Sequence, residues 1–145
     1  MTRWAVAIGA AAVMLQPLAH AEQWAYAMQT GHGHHSIQVD VDSIALKGGY
    51  VAARLLFEYY ADPAGPRSAL EDGAFDCKGK RFQVLSRTEY AAAEAKGDAG
   101  TPARFELKEE RWKLDSADPE TFAIIDWVCG VAAHKLADPQ AGSIP

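Results

Sequence analysis

The sequence predicts an α+β fold: a small antiparallel β-sheet of about six strands with one C-terminal α-helix packed on one face. Three observations carry this. Apolar and polar residues alternate with period two in several segments between residues 24 and 114, and Gly or Pro clusters separate them. A helix start signal followed by a period-3.6 apolar stripe occurs once, after Asp118. The length, 145 residues, gives room for one domain with one core.

The strands follow in order. Residues 24–28 are strand-like. In residues 36–42, Ile37, Val39 and Val41 face one way, and Gln38, Asp40 and Asp42 form the solvated face. Gly48-Gly49 is a two-residue hairpin turn, since both positions tolerate positive φ. Residues 50–60 form the next strand, with Val51, Ala53, Leu55, Phe57 and Tyr59 on one face and Arg54 and Glu58 on the other. Two prolines and a glycine within residues 62–66 end it. A further strand group starts near Ser68, with residues 74–77 as a short strand, and residues 78–80 turn or bulge the chain. Residues 81–90 set Phe82, Val84, Thr88 and Tyr90 against Arg81, Gln83, Arg87 and Glu89. Residues 91–102 are an Ala/Gly-rich loop, and residues 104–114 hold one or two short strands.

The helix begins at Asp118-Pro119-Glu120. Asp caps free N–H groups, Pro suits the first helical position and Glu favours the positive end of the dipole. Phe122, Ile125 and Cys129 form its stripe, widened by Ile124 and Val128. It ends at Gly130 or runs on to Lys135, and residues 138–145 form a loose tail.

The first 21 residues read as a secretory signal. Arg3 precedes a 12-residue apolar run, Pro17 follows, and Ala19-His20-Ala21 offers a cleavage site before Glu22. No Cys stands at that point, so no lipid anchor is expected. The expected division is residues 1–21 as signal, 22–137 as domain and 138–145 as tail. The exported chain, in the periplasm or at the cell surface, would carry a net charge of −6, because cleavage removes only Arg3 from a whole-chain charge of −5. An acidic chain excludes a general nucleic-acid binder, and no stretch reaches the roughly 20 apolar residues of a membrane span.

Export makes Cys77 and Cys129 an even pair in an oxidising compartment, and a single disulfide is the default. It would staple the helix to the sheet. The spacing is no CxxC motif, which argues against a redox pair.

Chemistry-bearing residues are few. His32, His34 and His35 lie within four positions and form an alternative metal or haem site. A glycine-containing loop does not by itself hold ligands at fixed geometry, so a solvated loop is the first reading and no cofactor is expected. Asp40 and Asp42 read as a wet strand face. Lys78, Lys80, Arg81 and Arg87 are a local basic cluster. Arg54, Arg81, Gln83 and Arg87 are the candidate partner-binding residues, on exposed strand faces suited to docking an anionic partner. No nucleophile motif, metalloprotease motif or phosphate loop is present.

The order of landmarks resembles the surface-adhesin protein E-like domain of Gram-negative bacteria. The landmarks are Trp24, Val39-Asp40-Val41-Asp42-Ser43-Ile44, Gly48-Gly49-Tyr50-Val51, Phe75-Asp76-Cys77, Arg81, Tyr90, Trp112-Lys113-Leu114-Asp115-Ser116 and Val128-Cys129. The resemblance spans residues 24 to 130. It implies a small antiparallel sheet with a C-terminal helix tethered by the disulfide. It also implies a non-enzymatic, exported binding module of the cell envelope whose partner is a protein or other macromolecule.

Overall fold

In the computed structural model, residues 22–29 and 34–137 are described; the expected signal segment, His32 and the expected tail lie outside them. Seven strands form one antiparallel sheet: β1 (Trp24–Gln29), β2 (His35–Lys47), β3 (Tyr50–Tyr59), β4 (Ser68–Asp76), β5 (Arg81–Tyr90), β6 (Ala103–Arg104) and β7 (Lys113–Leu114). Spatial order equals chain order from β1 to β6, and β7 pairs with β5. The helix α1 (Pro119–Ala137) follows.

The turns are where the residue types place them. Gly48 (φ 52°) and Gly49 (φ 97°) take the left-handed region in the β2–β3 turn. Asp118 caps α1: its carboxylate accepts the Thr121 N–H at 2.7 Å and the Thr121 hydroxyl at 2.9 Å. Those bonds, the backbone one foremost, hold the Asp118 carboxyl below the usual aspartate range.

Ile37, Val39, Val51, Ala53, Leu55, Phe57, Ala69, Phe75 and Phe82 meet Ile124, Ile125, Val128 and Ala132 of the helix in one buried core. Phe122, expected in the helix stripe, is half exposed; the buried line is instead Thr121, Ile124, Ile125, Val128 and Ala132. Cys77 and Cys129 form the disulfide, with Cα atoms 5.6 Å apart, and join the end of β4 to the helix. Among the described residues, no helix is long and apolar enough to cross a membrane.

Two bulges redistribute side chains. In β2 the pairing jumps from Asp40↔Arg54 to Ala45↔Ala52, so residues 41–44 bulge out. Ser43 closes the bulge: its hydroxyl donates to the Asp40 carbonyl and accepts the Arg54 N–H. The ammonium of Lys135, in the last turn of α1, donates to the carbonyls of Val41 (2.9 Å) and Ile44 (3.1 Å). Asp40, expected on a wet face, is buried, because the start of β1 covers it and its carboxylate accepts the Gln23 and Asp42 N–H groups. In β5 the pairing jumps from Gly73↔Val84 to Asp72↔Ser86, which leaves Leu85 as an extra residue. Cross-strand partners share a face, so Arg87, opposite Glu71, joins the helix side of the sheet, while Arg81 and Gln83 stay on the other.

Candidate binding surface

Gln83 is not on an exposed face. It is almost fully buried, and its side-chain amide donates to the Lys108 carbonyl at 2.8 Å and accepts the Lys108 N–H at 2.9 Å. Those two hydrogen bonds hold the chain to β5 where it leaves β6 and bows outward before β7. Gln83 therefore shapes the surface rather than presenting itself on it.

The three arginines are part-exposed and do not form one basic patch. Each faces two carboxylates. Arg54 meets Asp72 at 3.0 Å and Glu22 at 3.5 Å. Arg81 meets Asp76 at 2.7 Å and also Glu109. Arg87 meets Glu71 and, at 3.2 Å, Glu89. Arg87 is furthest removed from solution chemistry. It donates to the Tyr59 hydroxyl at 2.5 Å and lies over the Phe57 and Tyr59 rings. Burial works against its charge, but the bonds to Tyr59 and Glu71 outweigh burial and raise its pKa. Burial pushes the Glu71 carboxyl up, with Arg87 opposing.

Arg81 lies in an open cleft of about 300 Å³, at the sheet end that carries the β2–β3 turn. Gly48, Gly49 and Tyr50 of that turn, Asp76, and Leu107, Lys108, Glu109 and Trp112 of the bowed segment complete the lining. The Arg81 guanidinium sits 4.8 Å from the centre of the Trp112 ring. Asp76 accepts the Gly79 N–H at 2.8 Å, and that bond, then the one from Arg81, holds its carboxyl low. The bonds to Asp76 and Glu109 raise Arg81 in turn. Gly48 and Gly49 have open space on the side where a side chain would start.

The histidines lie at the opposite end. His34 and His35 line a second cleft of about 320 Å³ with Tyr59 and Arg87. His35 Nε2 lies 2.9 Å from the Glu120 carboxylate in the first turn of α1, a contact between helix and sheet. Among the described residues, no group of three His, Cys, Asp or Glu side chains comes together to hold a metal; His32 of the sequence cluster lies outside them.

Tyr50, Asp76, Glu109 and Trp112 were not legible as one site. They come from separate segments, and strand periodicity accounts for Tyr50 and Trp112 individually. The available signal was that Tyr50, Asp76, Arg81 and Trp112 all stand among the landmarks of the family resemblance, in separate blocks.

The family model for surface-adhesin protein E matches residues 24–130. This chain belongs to that family. Crystal form II of Haemophilus influenzae protein E matches at 12% identity and TM-score 0.48, over 74% of this chain and 89% of that one. Another structure of Haemophilus influenzae protein E matches at 13% identity and TM-score 0.40, over 70% of this chain and 82% of that one. No curated protein sequence matches this surface-adhesin protein E family member significantly.

Proposed function

We propose that this chain is an exported, non-enzymatic binding module of the bacterial cell envelope. It is released by cleavage before Glu22, carries no cofactor, and contacts a protein or other macromolecular partner at the sheet end around Arg81. Membership of the surface-adhesin protein E family over residues 24–130 carries this reading. The architecture supports it: a disulfide-tied sheet holds its side chains in place, so little entropy is lost when a partner docks. The arginines shape this reading differently from the sequence expectation. Each is balanced by its own carboxylates, so they act as fixed hydrogen-bonding groups rather than as a positive field that steers an anion.

The test has two arms. Intact cells are labelled with a membrane-impermeant reagent, and the tagged exported protein is used to capture partners from envelope and extracellular-matrix fractions. The expected result is labelling of intact cells, an N-terminus at Glu22, and a saturable partner whose retention falls about tenfold in Trp112→Ala. No saturable partner in any fraction, or turnover of an envelope substrate by the purified protein, overturns the reading.

A further inference from the structure

We infer that the cleft around Arg81 and Trp112 takes a neutral sugar residue of a glycan; this rests on the proposed binding role and names the chemistry of the partner's contacting group. The argument starts from charge. Asp76, Glu109, Arg81 and Lys108 line the cleft, and Glu106 lies 3.3 Å from the Lys108 ammonium, so each cation there already faces a carboxylate. An anion entering it meets both carboxylates, and Arg81 already spends Nε on Asp76 and Nη1 on Glu109. A cation meets Arg81 and Lys108. Neither finds an unpaired countercharge, whereas a neutral polyhydroxyl ligand needs none. Each hydroxyl donates and accepts, so it can bridge a carboxylate oxygen and a cationic N–H in the same place.

The rest of the lining fits the other half of a pyranose. A sugar ring presents patches of C–H as well as hydroxyls, and these pack on flat apolar surfaces. Tyr50 and Leu107 supply such a surface beside the charged groups, with the Trp112 ring, which carries the Arg81 guanidinium on one face, completing it. The volume, about 300 Å³, is at the lower end of ligand clefts, which suits one ring rather than an oligosaccharide. The groups are also pre-set. Gln83 clamps the Lys108 backbone, the Gly79 N–H fixes Asp76, and Arg81 is held by both its acids and the indole face. That ordering precedes binding and lowers its entropic cost.

The experiment is a ¹⁵N NMR titration of the exported protein with a panel of neutral mono- and oligosaccharides, with sulphated polysaccharide as a charged arm. The Trp112 indole N–H is followed across a salt series. The expected result is a saturable shift for at least one neutral sugar, with Kd on the order of 1 mM for a single ring, unchanged by salt. Trp112→Ala should weaken it about tenfold, and Glu109→Gln, on an exposed side chain, about threefold. Thermal melts of each variant check that the fold is kept. The inference fails if no neutral sugar moves the indole signal, if only the sulphated arm binds and salt abolishes it, or if folded Trp112→Ala or folded Glu109→Gln binds as wild type does. It also fails if neither variant folds yet no wild-type shift maps to the cleft. A protein partner captured by wild type under those outcomes leaves the binding-module reading standing and removes only the sugar.

Discussion

Arg87 was legible as a charged strand residue, but the side it faces was not. Alternation through residues 81–90 puts it with Arg81, and one extra residue at Leu85 carries it to the other face. No residue type in that run marks a bulge, so period-two reasoning has nothing to detect there. The consequence is energetic. Glu71 is nearly buried, and Arg87 is its charge partner. Arg87→Ala should destabilise the fold by about 3 kcal/mol near neutral pH, because it strands a buried carboxylate. The sign with pH follows from the direction of the Glu71 shift. Its folded pKa is raised by burial, so its contribution is fully present below the unfolded value of about 4.3 and is lost as pH rises through the folded value. Without Arg87 the folded value moves further up, so the deficit should shrink as pH falls toward 4. Denaturant melts at two pH values check this, and a deficit that does not change with pH would contradict it. Arg87→Met combined with Glu71→Met should recover most of the loss.

At the scale of elements, β1, β2, β3, β5, the hairpin glycines and the helix start were readable because each has a local cause: alternation, positive φ, a cap; β4, expected as a short strand over residues 74–77, instead runs from Ser68 to Asp76. The helix stripe was read one edge off, with Phe122 in place of Thr121, because a stripe drawn from hydrophobicity alone passes over Thr121, which is buried while its hydroxyl donates to the Asp118 cap. The bowed segment between β6 and β7 was not readable, since its shape depends on a bond between Gln83 and Lys108, 25 residues apart. Gln83→Leu keeps the volume of the buried side chain and deletes both bonds. It should cost about 2 kcal/mol, with the Lys108 amide exchanging faster with solvent than in wild type. Hydrogen exchange at Lys108 is the direct check. Unchanged protection there would show that the segment is held by other contacts.

For the whole molecule, the sequence yielded the architecture and the disulfide, because export and an even cysteine count leave one simple pairing. It did not yield the Arg81 cleft, which exists only where a turn, a strand end and the bowed segment converge. The bridge joins residues 52 apart. Its removal in Cys77→Ala/Cys129→Ala should lower stability by about 4 kcal/mol on the chain-entropy estimate, read from denaturant melts of oxidised wild type and variant. A loss under about 1 kcal/mol would mean that helix docking alone orders this end of the unfolded chain. The meander has one more consequence, for timing. From β1 to β6 every neighbour in the sheet is a neighbour in the chain, so those ladders form between segments made in succession. Among the described residues, ties across the layers come from the helix, which follows all seven strands: Glu120 to His35, Cys129 to Cys77, and Lys135 to the β2 bulge. The element that covers the sheet's apolar face therefore lies after all seven strands in the chain, and the sheet ladders can pair locally without it.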